Sequence, residues 1–190
     1  MDKRVRNFYE ILGYTDPKMY DYFDRHVTYA NMDSSNDNSI FVGCFYNSSG
    51  NILSSIHTVL PYGKDLKYLS QQVHEVAHFI SLYPYLNKNF DDSAFALGME
   101  IFPIAMERLF AEKTNDPAYL EWFNNYQKEI INQTIKSNSD SHIIGFLNHW
   151  DYLEFYRETN TLPELIDYKI NTSIDLKKEL SKKVKDVGNL

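Results

Sequence analysis

The residues His74-Glu75-Val76-Ala77-His78 read H-E-x-x-H and carry the clearest chemical signal in the chain. On a helix, two side chains four residues apart lie one above the other on the same face. Two imidazoles at this spacing can bind one zinc ion, and the glutamate beside the first histidine can reach a water molecule at the metal as general base. The pentapeptide therefore predicts a zinc site with His74 and His78 as ligands and Glu75 as the base.

The segment around this motif is expected to be a helix that places both histidines at the margin of a core. Residues 65–83 contain neither glycine nor proline; Gly63 precedes them, Asp65 is the expected N-cap and Pro84 ends the helix. Apolar residues recur there at three- and four-residue spacing: Leu69, Val73, Val76 and Ile80. Because the histidines lie alongside this stripe, we expect them to face a cleft.

A catalytic zinc site needs a third protein ligand and an open fourth position for water. The next predicted helix, over residues 93–112 with Asp92 or Ser93 as its N-cap, offers two glutamates. Glu100 is embedded among apolar residues, where a carboxylate is costly unless it is paired or bound to a metal. Glu107 lies two turns further along the same face. One of them can be a ligand and the other an acceptor that orients a histidine N–H, the alternative being two ordinary salt-bridging glutamates.

This pattern resembles the gluzincin zinc peptidases, in which H-E-x-x-H is followed by a glutamate ligand on the next helix. His78 and Glu100 are 22 residues apart here, close to the separation of some twenty residues in that class. More narrowly, the segment Glu100-Ile-Phe-Pro-Ile-Ala-Met-Glu107 resembles the thimet oligopeptidase and oligoendopeptidase F family, in which the first of two such glutamates binds the metal. The resemblance implies a zincin-like fold, zinc as the cofactor and Glu100 as the third ligand.

That family also carries a downstream histidine, a Gly-Tyr pair and a tyrosine-rich helix, which contact the substrate and its tetrahedral intermediate. This chain has His142, Gly145-Phe146, His149, Tyr152 and Tyr156 in the same order. The resemblance implies that at least one of the four histidines and tyrosines donates a hydrogen bond to a developing oxyanion. Packing is the alternative for each, since an aromatic stripe on a helix usually belongs to a core.

Length and composition bound the class of protein. A chain of 190 residues suits one domain, and a net charge of −7 argues against a nucleic-acid partner. The single cysteine, Cys44, excludes an internal disulfide. No run of apolar residues is long enough for a membrane helix, and the charged N-terminus has no secretory signal. We therefore expect a cytoplasmic protein without a membrane partner, and the oligomeric state is open.

The remaining pattern predicts a mostly helical α+β protein, a single zincin-like domain over residues 1–190. Its N-terminal region, 1–30, is expected to hold helices over 2–12 and 17–30, followed by a polar loop at 31–38. Strands over 40–46 and 52–60, joined by a turn at 47–51, form a β-hairpin within 39–60 that precedes the motif helix. His26 and His57 are expected to be packed or surface residues and not ligands.

Catalytic helices are expected to occupy residues 65–158. After the two helices that carry the ligands, one helix begins at Asp116-Pro117 and runs to about 135, and another covers 142–158. A C-terminal helical tail over 162–190 contains a short helix at Pro163 and a lysine-rich amphipathic helix over 174–186.

The favoured function is a zinc-dependent metallopeptidase that hydrolyses a peptide or protein substrate. A metal-activated water attacks the scissile carbonyl while Glu75 takes its proton and passes it to the leaving amine. In peptidases of this broad class, an edge strand of the preceding sheet pairs with the substrate backbone. The alternatives are a non-catalytic or regulatory protein that keeps a zincin scaffold, and a helical interaction protein in which the motif is accidental.

Overall fold

A computed structural model gives the fold and describes residues 1–31, 42–63, 65–91, 95, 98–163, 170 and 175–187. The chain divides into two compact units, Met1–Asp91 and Asp92–Leu190. The described residues are mostly helical and include a three-stranded sheet, which agrees with the expected α+β class. Among them, no helix is both long and apolar enough to cross a membrane. The single-domain organisation stays a prediction.

The described part of the first unit contains three α-helices and the sheet. The helices are α1 (Lys3–Ile11), α2 (Pro17–His26) and α3 (Leu66–Leu82), and the strands are β1 (Val27–Asn31), β2 (Gly43–Ser49) and β3 (Ile52–Tyr62). Asp2 and Asp16 cap the first two helices by accepting hydrogen bonds from the backbone N–H groups of Arg4 and Lys18. A short 3₁₀ turn at Tyr83–Tyr85 follows α3.

The central strand of the sheet is β3, which pairs in parallel with β1 and antiparallel with β2. The predicted hairpin is confirmed, but its turn is shorter than expected because β2 extends to Ser49. Gly50 and Asn51 form the turn with φ of +59° and +66°. Two left-handed residues in a row suit the right-handed twist of a hairpin, and glycine and asparagine adopt them at least cost. Ile40 and Phe41, at the start of the predicted first strand, lie outside the described residues.

The predicted helix over 17–30 is wrong in its last part. α2 ends at His26, and Val27–Asn31 form β1 instead. β-branched and aromatic residues in this segment favour an extended backbone, and they pair with Thr58–Tyr62 of β3. The pairing partner lies far along the chain, so the local periodicity of residues 17–30 could not show it.

The motif helix is confirmed as α3, and residue Asp65 precedes it as the N-cap without a side-chain hydrogen bond. All four residues of its predicted apolar stripe are buried. Two buried hydrogen bonds fix the helix to its neighbours. The Tyr9 hydroxyl on α1 donates to the Val73 carbonyl over 2.6 Å, and Gln72 Nε2 donates to the Pro61 carbonyl of β3 over 3.1 Å. The face that carries the histidines is therefore held in a defined orientation in this unit.

The described part of the second unit is helical: α4 (Ile101–Lys113), α5 (Pro117–Ser137), α6 (Asp140–Thr159) and α7 (Leu176–Val187). As predicted, α5 begins after Asp116, whose carboxylate accepts hydrogen bonds from the N–H groups of Ala118 and Tyr119. The predicted lysine-rich tail helix is confirmed as α7. Pro163 is described without regular structure, and residues 164–169 lie outside the described residues, so the short helix predicted there has no described counterpart.

Helices α4 and α6 run side by side in the same direction. Along the pair, Phe102 meets Tyr152 edge to face at 6.1 Å between ring centroids. The Arg108 guanidinium of α4 lies 3.7 Å from the centre of the Trp150 ring of α6. Apolar residues of α4, α6 and α7 form the core of this unit: Ile104, Ile143, Phe146, Leu147 and Leu180. This packing sets the position of α6, which carries the predicted oxyanion donors.

Candidate metal centre

The two motif histidines converge on one point of the α3 surface. The Nε2 atoms of His74 and His78 are 3.1 Å apart. His78 is only 6% exposed, while His74 is half-buried. Two nitrogen ligands on a tetrahedral zinc ion, each at about 2.0–2.1 Å from the metal, lie about 3.3 Å apart. The pair therefore has the separation of two ligands on one ion, although the same distance also fits a hydrogen bond between the rings.

Glu100 is buried at the start of α4, with 4% of its surface exposed. The predicted continuous helix over 93–112 is wrong at this point, because Met99 and Glu100 form a turn and α4 begins at Ile101. Pro103 explains the start of the helix, since it has no N–H and is tolerated only in a first turn. Phe95 and Gly98 are helical, while Asp92 and Ser93 lie outside the described residues. Glu100 is thereby placed at an N-cap, where the helix dipole favours an ionised carboxylate.

His142, a predicted catalytic residue, lies beside the Glu100 carboxylate. Its Nε2 is 3.7 Å from Glu100 Oε2. Its Nδ1 is 2.8 Å from the Ser139 hydroxyl, at the N-cap of α6. If that hydroxyl donates to Nδ1, the imidazole proton lies on Nε2 and faces the carboxylate. A neutral histidine so placed can orient the carboxylate, which is a role other than the oxyanion donation predicted for it.

Three of the described residues could together hold one metal ion: His74 and His78 on α3, in the first unit, and Glu100 at the start of α4, in the second unit. Two neutral nitrogens and one carboxylate oxygen are a donor set that zinc accepts. The residues therefore fit the group that the sequence predicts.

Glu107, the alternative ligand, is not part of this cluster. Burial is the main cause that raises the pKa of Tyr126 on α5, and the charge of Glu107 raises it further. His26 and His57 are also outside the cluster. His26 Nδ1 lies 2.8 Å from the Tyr22 carbonyl, and His57 Nε2 lies 2.9 Å from the Thr28 hydroxyl. The expectation that these two histidines are packed or surface residues agrees with these contacts.

The Glu75 carboxylate lies close enough to the sheet of its own unit to affect the Cys44 thiol. Burial is the main cause that raises the pKa of the Cys44 thiol on β2 to about 12; a hydrogen bond with Thr58 lowers the pKa, and the Glu75 carboxylate raises it further. The thiol therefore stays protonated at neutral pH, and it adds no second negative charge beside the proposed base. Sequence reasoning named Cys44 only as an unpaired cysteine and missed this neighbour.

The other predicted donors on α6 have distinct surroundings. The Tyr152 hydroxyl is buried and donates to the Pro163 carbonyl over 2.7 Å, a structural role that does not support its assignment as an oxyanion donor. Tyr156 is half-buried, and its carbonyl accepts the hydrogen bond of the residue that ends the helix. His149 is 1% exposed, and its Nδ1 lies 2.9 Å from the Phe146 carbonyl. Tyr156 therefore remains the candidate oxyanion donor on α6, while His142 lies beside the Glu100 carboxylate.

Gly145 allows α6 to approach α4 at the level of Glu100. A Cβ atom at this position would lie 2.7 Å from Glu100 Cβ, 2.7 Å from Ile104 Cδ1 and 3.0 Å from the Glu100 carbonyl carbon. Real Cβ atoms do not tolerate such contacts, so one of the helices would have to move. Sequence reasoning named Gly145 only within the family motif. A glycine inside a helix is the signal that could have indicated its packing role, because it costs about 1 kcal/mol relative to alanine.

We predict that Gly145→Ala destabilises the metal-free protein by about 1–3 kcal/mol, despite the better helix propensity of alanine, because the added methyl overpacks the contact. The displaced Glu100 should also weaken zinc binding by about tenfold or more. Urea unfolding without metal and zinc titration measure the two effects separately. Ser141→Ala, on the same helix, is the control. A Gly145→Ala protein as stable as wild type would contradict the close approach.

Burial lowers the pKa of His149 to about 3; hydrogen bonds to the Phe146 and Gly145 carbonyls oppose this shift, and the charges of Arg108 and Lys183 add to it. Its Nε2 has no hydrogen-bond partner among the described residues. In the unfolded chain the imidazole has a pKa near 6.5 and takes up a proton below that value, while the folded state does not. The free energy of unfolding should therefore fall by about 1.4 kcal/mol per pH unit as the pH drops below about 6.5.

Urea unfolding of the metal-free protein between about pH 7 and pH 5 measures this contribution to stability. Ordinary carboxylates titrate below this pH range and therefore do not dominate the change. His149→Gln should show a shallower loss of stability over the same range. An unchanged pH dependence in the variant would show that His149 is not buried as a neutral group.

A scan against protein-family models found no match to this chain. Searches of curated proteins and of solved structures likewise found no match. The interpretation of the site therefore rests on the residues and their geometry.

Proposed function

We propose that the protein is a zinc-dependent metallopeptidase with a zincin-like fold. The observation that carries the proposal is the pair of imidazoles on α3, whose Nε2 atoms are 3.1 Å apart, together with the buried Glu100 as a third residue that could hold the same ion. The residue that follows the first histidine, Glu75, supports catalysis in particular. A zinc site with a purely structural role has no use for a general base beside its ligands, whereas hydrolysis requires one.

Three neutral or anionic ligands suit a catalytic zinc site better than a structural one. Structural sites are usually closed by four protein ligands, often cysteines, while catalytic sites have three and leave a position open. The cluster contains no thiolate, and the one cysteine of the chain is not a member of it. The ligand set proposed here, two imidazoles and one carboxylate, corresponds to a well-known type of hydrolytic zinc centre.

The residues around the ligands have separate roles in the proposed reaction. A bound zinc ion would supply Lewis acidity, which lowers the pKa of water and polarises a carbonyl group. Glu75 accepts the proton of the attacking water on its carboxylate and delivers it to the leaving amine. His142 lies beside the Glu100 carboxylate and would help to keep it in place, and Ser139 holds the imidazole. Tyr156 is the remaining tyrosine candidate for donation to the oxyanion.

The proposed substrate is a peptide or protein, and the proposed location is the cytoplasm. An edge strand of the sheet would pair with the extended substrate, and both β1 and β2 are edge strands in the described sheet. The runner-up is a non-catalytic protein that keeps the metal site as a binding module. The presence of Glu75 favours the enzyme over this alternative.

Incubation with a mixture of fluorescence-quenched peptides tests the proposal. We expect cleavage that a chelator abolishes and that zinc restores, because the activity depends on a dissociable metal. Cleavage that persists after removal of the metal would contradict the metallopeptidase assignment. Zinc binding without cleavage of any peptide, in a protein with an intact Glu75, would favour the non-catalytic alternative.

A further inference from the structure

The second unit contains a cavity that the proposed reaction does not use. Its volume is about 310 Å³, which is at the lower end of the range for small-molecule sites. The cavity is open on one side and is bounded mainly by α5, α6 and α7. Much of its lining is apolar, with Ile131 on α5, Phe146 on α6 and Val184 on α7. An apolar molecule, or an apolar part of one, would be well accommodated there.

The charged side chains in the lining of this cavity are all basic. Arg108, Lys128 and Lys183 line it, and no carboxylate does. Arg108 is already engaged, since its Nε lies 3.2 Å from Glu112 Oε1, a carboxylate that Arg157 also contacts, and its guanidinium donates to Gln127. The two lysines form no ion pair among the described residues. Lys183 Nζ makes one hydrogen bond, over 3.0 Å, to the carbonyl of Leu147.

This local charge is opposite to that of the whole molecule, which has a net charge of −7. Two ammonium groups at one site repel each other unless an anion lies between them. His149 also lines the cavity, but it is neutral at physiological pH and neither adds to nor offsets the lysine charges. The lining is therefore complementary to a single negative charge attached to an apolar body.

We propose that this cavity binds a small amphipathic carboxylic acid, of the kind represented by a medium-chain fatty acid. The carboxylate pairs with Lys128 and Lys183, and the hydrocarbon chain lies against Ile131, Phe146 and Val184. A bare inorganic anion would leave the apolar wall exposed to water, and an uncharged hydrocarbon would leave the lysines without a counter-ion. The free acid satisfies both parts of the lining.

This site is independent of the proposed metal centre, because none of its lining residues is a proposed ligand or base. Both sites nevertheless use α6, which presents His142 near one end and Trp150 towards the other. A ligand that binds to Phe146 and Trp150 restrains the helix that supports the Glu100 carboxylate. The site thus offers a way for a fatty acid to stabilise this unit.

Titration of the 190-residue protein with sodium octanoate tests the proposal. The chain has two tryptophans, and only Trp150 lines the cavity, while Trp122 stacks between Tyr119 and Tyr126. We expect the indole N–H resonance of Trp150 to shift on saturation and that of Trp122 to stay in place. The expected dissociation constant is on the order of 0.1 mM. 1-Octanol, which has the chain but no carboxylate, should bind at least about tenfold more weakly.

Variants separate the contribution of charge from that of apolar contact. Lys128→Gln and Lys183→Gln should each weaken octanoate binding by about five- to tenfold, with unchanged circular dichroism. Lys178→Gln and Lys182→Gln, on α7 but outside the cavity lining, are matched controls and should bind as wild type does. Lys128 is exposed, so its variant tests the charge without disturbing the packing.

Three results would overturn the proposal: no saturable binding of octanoate, equal binding of octanoate and octanol, or equal binding by wild type and both cavity-lysine variants. Because none of these measurements needs zinc or hydrolysis, they fail or succeed independently of the metallopeptidase assignment.

Discussion

Replacement of Glu75 by glutamine is expected to abolish peptide hydrolysis while zinc binding is retained. Glutamine has the same shape, but its amide cannot accept the proton of the attacking water. Loss of a general base typically lowers kcat by about 10²–10⁴-fold. The metal should stay, because the ligands on α3 are the two flanking histidines and not Glu75. The measurement is kcat on the best cleaved peptide together with zinc content by elemental analysis.

Glu121→Gln is the matched control, since this exposed glutamate on α5 lies outside the metal cluster. It should hydrolyse the peptide as wild type does. A Glu75→Gln protein that loses zinc as readily as a histidine variant would show that Glu75 is a ligand or a folding residue. The proposed division of roles between Glu75 and the histidines would then be wrong.

Replacement of His78 by alanine is expected to remove high-affinity zinc binding. His78 is buried at the proposed centre, and its nitrogen cannot be replaced by a neighbouring side chain of α3. Loss of one of three protein ligands should weaken zinc binding by a factor on the order of 10³ or more. The stabilisation of wild type by zinc, about 4 kcal/mol when free zinc is 1,000 times its Kd, should disappear in the variant.

Thermal unfolding with and without zinc, together with a zinc titration in the presence of a competing chelator, measures these effects. His57→Ala is the control, because His57 is an exposed histidine on β3 whose ring contacts Thr28. It should keep both the zinc affinity and the zinc-dependent rise in Tm. Equal zinc affinity in His78→Ala and His57→Ala would exclude His78 as a ligand.

The parts of the fold that local sequence determines could be predicted. α3, α5 and α6 have long apolar periodicity, and α3 and α5 have recognisable beginnings at Asp65 and Asp116. The H-E-x-x-H spacing also fixes the separation of the two imidazoles on α3, since helix geometry alone brings residues four apart together. For these elements, the information lies within one helix length of the residues concerned.

The parts that depend on distant residues could not be predicted. Strand β1 forms because Val27–Asn31 pair with β3, and the helical periodicity of the preceding residues gave no indication of this. The start of α4 at Ile101 follows from Pro103, whose effect competed with an apolar run that looked helical throughout. The role of Gly145 depends on how closely two helices pack, which spacing along one helix does not determine.

The most direct test of the account is a crystal structure of the zinc-loaded protein with data collected at the zinc absorption edge. We predict one anomalous peak per chain, at about 2.0–2.2 Å from His74 Nε2, His78 Nε2 and a carboxylate oxygen of Glu100, with Glu75 beside the open position. A peak that lacks Glu100 among its ligands, or the absence of any peak at His74 and His78, would contradict it.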